Sequence, residues 1–143
     1  VHANGVAVLA ESPDIANVRI EFENGCVANL TASRISMKNM RKIRFFQKNT
    51  YISVDFLDKK TDIIRLAEAG EESVEGKQQV FNFDTGSGMK QMVMEMPEIE
   101  TVNSIKMELA EFSASILHNA PVRVSFHDAC EALKAAYLII EKM

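Results

Sequence analysis

The sequence predicts an α+β fold: an open, mostly antiparallel sheet of about six to eight strands with two C-terminal helices packed on one face. Three observations carry this. Apolar residues alternate with period two over the first two thirds of the chain, and they recur at helical spacing over the last third. Gly, Asn and Pro sit where one run gives way to the next.

The opening VHANGVAVL is an extended segment. In Ala16, Val18, Ile20 and Phe22 the apolar side chains share one face, with Asn17, Arg19, Glu21 and Glu23 on the other, the pattern of a half-buried antiparallel strand. Asn24 and Gly25 accept positive φ and predict a tight type I′ hairpin turn. The returning strand puts Cys26, Ala28, Leu30 and Ala32 on one face. Alternation lapses over 35–40 and resumes in a second hairpin, 41–47 and 50–57, around Lys48 and Asn49. Both of its faces carry large residues: Ile43 and Phe45 against Arg44 and Phe46, and Ile52, Val54 and Phe56 against Tyr51 and Leu57. That predicts a sheet covered on both sides. A strand at 62–68, an exposed polar loop at 69–77 and strands at about 78–84 and 89–96 follow, the last two joined by Thr85, Gly86, Ser87 and Gly88.

Pro97 closes the strand region. From Thr101 to His118, Ile105, Leu109, Phe112 and Ile116 recur at spacings of four, three and four, one stripe of a helix. Ser125 is the expected N-cap of a closing helix over 126–142, with Asp128 in its first turn and Ala129, Leu133, Ala136 and Ile140 on one face.

Length and composition bound the function. A chain of 143 residues suits one domain with a substantial core. With 47% hydrophobic and 25% charged residues it has the composition of a folded globular protein. Its net charge of −4 and scattered basic residues leave no footprint for a nucleic-acid backbone. Cys26 and Cys130 lie far apart in no metal-ligand spacing, so neither a disulfide framework nor a zinc site is expected, and a reducing compartment is. No run reaches the ~18 apolar residues of a membrane span and no signal peptide stands at the start, so a cytoplasmic location without membrane contact is expected. The chain begins at Val1 inside an extended segment, which reads as a piece of a longer protein.

Little of the chain promises chemistry by itself. There is no G-x-G-x-x-G after a strand and no phosphate-binding loop of the G-x-x-x-x-G-K-[ST] type. The TGSG at 85–88 lies between two strands, without the amide cluster and dipole of a helix N-terminus, and reads as a plain turn. His118 closes one helix and His127 opens the next, both structural places, and no adjacent nucleophile or second ligand turns them into a triad or metal site. Met92, Met94 and Met96 share a strand face and read as subunit interface rather than a cofactor box. The segment 31–42, TASRISMKNMRK, is the richest, with Arg34, Lys38, Arg41 and Lys42 at a strand end and in the loop after it. A guanidinium there suits a substrate carboxylate or phosphate, although residue by residue a solvated charged loop is the plainer account.

The order of these elements, with the phrases ANVRIEFENGCVANLTASR, RKIRFFQKNTYISVDF and NSIKMELAEFSASILHNAPVRVSFHDACEALKAAYLIIEKM, resembles the C-terminal domain of the Gfo/Idh/MocA oxidoreductases, the glucose-fructose oxidoreductase and inositol dehydrogenase family. The resemblance covers nearly the whole chain. It implies that residues 1–143 are the substrate and oligomerisation domain of a two-domain enzyme whose N-terminal Rossmann domain, with NAD or NADP and the E-K-P lysine, is absent here. Neither that motif nor the Rossmann fingerprint occurs in the sequence. It implies no catalytic or cofactor-binding residue in this chain, no bound metal, no activity alone, and substrate contacts from Arg34, Lys38 and Arg41. The expected substrate is a sugar, cyclitol or nucleotide sugar, and the expected partners are the missing domain and a second copy docking on the exposed sheet face. The family's V-x-G-x-x-G pair in the second hairpin is replaced by Gln47, Lys48 and Asn49. A stand-alone, non-enzymatic binding or scaffolding domain is the alternative.

Overall fold

The first hairpin is wider than a two-residue turn. Strands β2 (Ile15–Glu21) and β3 (Val27–Ser33) pair antiparallel with Val18 opposite Leu30 and Ile20 opposite Ala28, so the apolar faces meet as the alternation requires. Between them the Phe22 carbonyl accepts from Gly25 N–H at 2.9 Å and Phe22 N–H donates to the Cys26 carbonyl at 2.9 Å. Gly25 alone takes positive φ, 84°. The expected type I′ turn at Asn24 and Gly25 is therefore a three-residue loop closed by a glycine bulge. Asn24 caps it, its Oδ1 accepting from Cys26 N–H at 3.0 Å. Strand β1 (His2–Val6) pairs antiparallel on the other side of β2, giving a three-stranded sheet in the order β1-β2-β3.

This computed structural model describes residues 1–68, 78–84, 86, 88–100 and 102–143. The polar loop expected at 69–77, and Thr85 and Ser87 of the glycine-bearing turn, lie outside the described residues. The chain divides into two units, Val1–Lys38 with Ser104–Met143, and Asn39–Asn103.

The second unit holds β4 (Lys42–Gln47), β5 (Thr50–Asp55), β6 (Lys60–Glu68), β7 (Gln78–Asp84) and β8 (Met89–Glu95). They form an antiparallel sheet in the order β4-β5-β6-β8-β7. Asn49 takes positive φ, 62°, in the two-residue turn between β4 and β5, a conformation that asparagine tolerates. Asp55 shapes the next turn: its Oδ1 accepts from Leu57 and Asp58 N–H at 3.0 Å each, and its Oδ2 lies 3.4 Å from Lys42 Nζ. Register places Phe46, Tyr51, Ile64, Leu66, Met92 and Met94 on one face of this sheet and Ile43, Phe45, Ile52, Val54, Ile63 and Val93 on the other. Apolar residues on both faces are as the sequence predicts.

The α+β class, the eight strands found among the described residues and the two C-terminal helices agree with expectation, with the strands in two sheets, of three and of five. Residues 34–41, outside any strand, connect β3 to β4 along the chain. Helix α1 (Ser104–Leu117) ends with Asn119 in the left-handed region, φ 50°, the usual position after a C-cap. Helix α2 (Phe126–Glu141) begins with the expected cap at Ser125, completed as a capping box: Ser125 Oγ accepts from Asp128 N–H at 3.1 Å and Asp128 Oδ2 accepts from Ser125 N–H at 3.0 Å. The helical stripes were expected to be covered by a sheet face. Instead Ile105, Leu109, Phe112 and Ile116 are 60–70% exposed, and neither helix contains a buried residue. The C-terminal end of α2 does approach β1, where Met143 Sδ and the Pro13 ring crowd Gly5. Among the described residues only Val18, Asp14 and Ser53 are buried.

Candidate functional site

The segment joining β1 to β2, residues 7–13, is held by one carboxylate. Asp14 stands at its end, with its N–H on the Val6 carbonyl at 2.8 Å and its own carbonyl accepting from Arg34 N–H at 3.0 Å. Its Oδ2 accepts from the N–H groups of Val8 at 2.7 Å, Leu9 at 2.6 Å and Ala10 at 3.2 Å. Three consecutive amides converging on one oxygen form an anion-holding concavity, filled here by the chain itself. The Leu9 and Val8 amides, with the Arg34 guanidinium, hold the Asp14 carboxyl well below the usual carboxylate range.

Arg34, the leading residue of the basic segment, faces this carboxylate from the end of β3. Its Nε donates to Asp14 Oδ1 at 2.5 Å, and its Nη2 to Ser12 Oγ at 2.9 Å and the Ser12 carbonyl at 3.2 Å. The Asp14 side chain is 2% exposed, whereas that of Arg34 is 52% exposed. Lys38 is exposed at the end of the first unit, and Arg41 is exposed at the start of the second, just before β4. Arg34 is thus a partly committed side chain, not the free charge its place in a basic loop suggested. Asp14 and Ser12 were missed. The available signal was an acid one position before a strand and a serine two residues earlier, which recurs too often to single them out.

Other features offer less. A shallow cavity of about 210 Å³ is lined by Val1, His2, Ala3, Asn4 and Lys142 and gathers no pair of opposed titratable groups. No group of His, Cys, Asp or Glu able to hold a metal ion occurs among the described residues, and His127 reaches only Glu131, at 3.9 Å. At the helix starts, α2 fills its N-terminus with the Asp128 carboxylate, and α1 follows β8 after eight intervening residues. No helix among the described residues is long and apolar enough to cross a membrane.

No family model matches the chain. The UDP-N-acetylglucosamine 3-dehydrogenase of Acidithiobacillus ferrooxidans is 43% identical to it over 58 residues, 41% of this chain and 18% of the relative. Solved structures of the enzyme described as UDP-N-acetylglucosamine 3-dehydrogenase GnnA, from the same organism, superpose in two crystal forms. One covers 99% of this chain and 38% of its own with a TM-score of 0.77 at 24% identity. The other covers 99% and 39% with a TM-score of 0.76 at 25% identity. The chain spans well under half the length of these proteins, and the match lies in their C-terminal part.

Proposed function

We infer, from a chain that matches the C-terminal part of a Gfo/Idh/MocA-family oxidoreductase, that it is the substrate-wall and subunit-interface domain of a nucleotide-sugar dehydrogenase. The observation that carries this is a superposition over 99% of the chain, joined to 43% identity over 58 residues with a dehydrogenase acting on UDP-N-acetylglucosamine. In this reading a Rossmann domain outside these residues binds NAD or NADP, and hydride passes between a hydroxyl-bearing carbon of the sugar and the nicotinamide. The present residues supply walls of the substrate pocket, with Arg34, Lys38 and Arg41 as candidate contacts for the anionic part of the substrate. The setting is cytoplasmic.

Exposed area supports the need for further protein. Phe46, Phe81 and Leu66 on one sheet face, and the Ile105 to Ile116 stripe on α1, are large apolar side chains left exposed. We assign the sheet face to a second copy and the helical stripe to the rest of the enzyme. A free-standing scaffold would have to leave both in water.

The test is a spectrophotometric assay at 340 nm with UDP-N-acetylglucosamine and NAD⁺ or NADP⁺. The full-length gene product should reduce the cofactor, and residues 1–143 alone should neither do so nor bind NADH. Micromolar NADH binding by residues 1–143 would refute the division of labour, and a full-length product inert towards every nucleotide sugar would refute the activity.

A further inference from the structure

The contacts of Arg34 are divided unevenly over its guanidinium. Nε donates to Asp14 Oδ1 at 2.5 Å, and Nη2 donates to Ser12 Oγ at 2.9 Å and the Ser12 carbonyl at 3.2 Å. Nη1 has no hydrogen-bond partner among the described residues, and the side chain is half exposed. One edge of the planar group is therefore gripped and the opposite corner is not. The grip itself is anchored, because Asp14 is buried and its other oxygen takes the amides of Val8, Leu9 and Ala10.

We propose that Asp14 is a positioning residue: it fixes the Arg34 guanidinium through its Nε edge so that Nη1 is presented to a phosphate of the substrate. Arginine is rich in rotamers, and a side chain that must be ordered at the moment of binding weakens affinity by that ordering cost. Held beforehand by Asp14 and Ser12, Arg34 is ordered when the substrate arrives, and its planar fork needs no search. Asp14 touches no substrate in this arrangement, and its effect passes entirely through Arg34. The inference rests on Arg34 being a substrate contact.

The bland account is that Asp14 only pins residues 7–13. A mutant cycle on the full-length enzyme separates the two, with UDP-N-acetylglucosamine as the probe and KM, kcat and Tm measured for Arg34→Ala, Asp14→Asn and the double variant. Losing one charge-assisted contact to the substrate should raise KM about 10-fold in Arg34→Ala. Asp14→Asn should raise KM about 3-fold or more with kcat little changed, and should add nothing to KM in the Arg34→Ala background. A loop-pinning role would lower Tm equally in both backgrounds and leave KM uncoupled. If Arg34→Ala leaves KM unchanged, the substrate-contact reading falls and this proposal falls with it. If Arg34→Ala raises KM but Asp14→Asn does not, or multiplies KM equally in both backgrounds, the reading stands and the positioning role of Asp14 is overturned. Should Asp14→Asn fail to fold, Ser12→Ala carries the same cycle. It should raise KM about 2-fold in the parent and not at all beside Arg34→Ala, and an uncoupled or absent effect overturns the proposal equally.

Discussion

Replacing Gly5 with alanine probes how firmly residues 7–13 are held against β1. A Cβ at this position would lie 2.8 Å from Pro13 Cγ, 3.0 Å from Pro13 Cβ and 3.0 Å from Met143 Sδ. Carbon atoms settle at about 3.5–4.0 Å, so all three neighbours are too close. The Met143 thioether is flexible and can swing aside. Pro13 cannot, because its ring has no rotamer to escape to and the next residue is Asp14, whose backbone N–H and carbonyl are both bonded. The cost therefore falls on the segment or on β1, and overpacking of this kind costs about 1–3 kcal/mol. For a body of this size that lowers Tm by roughly 4–24 °C. Thermal melts followed by far-UV circular dichroism, with urea unfolding to check that the slope is unchanged, would measure it. Pro13→Ala in the same chain should recover most of the loss, whereas Met143→Ala should recover little. A Tm within about 1 °C of the parent would mean that Pro13 yields freely, and would refute the argument that Asp14 fixes this segment.

Ser125→Ala should cost about 1 kcal/mol, seen as a lower urea midpoint, because it removes the acceptor for Asp128 N–H from the capping box; no shift would mean that α2 takes its stability elsewhere. Gly25→Ala should cost about 1 kcal/mol, since φ is 84° there with open space around it, while Gly25→Asn should cost less; equal melts would contradict the bulge geometry. Asp14 is expected to govern the acid limb of stability. Its folded pKa is depressed, so its contribution is fully present above about pH 4, the carboxyl's unfolded range, and is lost as pH falls towards the folded value. Asp14→Asn should be less stable than the parent at pH 6, with the gap narrowing towards pH 2 in denaturant titrations, and a gap that stays constant with pH would exclude the linkage. Equilibrium sedimentation of the full-length protein should give a dimer or larger, and Phe46→Glu with Phe81→Glu should shift it to monomer; a monomeric parent would remove the sheet face from the proposed interface.

Much of the local structure was legible. Ala16, Val18 and Ile20 alternate and do share a face, opposite Ala32, Leu30 and Ala28. Ser125 with Asp128 announced a helix start and forms one. Asn24 and Gly25 announced a turn correctly but not its length: either Gly in a bulge or Asn and Gly in a type I′ turn satisfies that dipeptide, and strand register decides between them. Arg34 was legible as a candidate because it opens a basic segment at a strand end and in the loop after it, where ligand contacts concentrate. Its partner Asp14 lies 20 residues away, and nothing local in either residue announces the pair.

What the sequence determined by itself was the kind of each element and the face each apolar residue takes, because backbone sterics and side-chain period act within a few residues. The tertiary structure alone decided that the described strands divide into two sheets, that Gly5 makes room for Pro13, and that Arg34 spends one edge on Asp14 and Ser12. A period says that a face seeks cover without saying what covers it. The stripe Ile105, Leu109, Phe112 and Ile116 is the clearest instance: its spacing specifies a helix, and only the tertiary structure shows it to be 60–70% exposed.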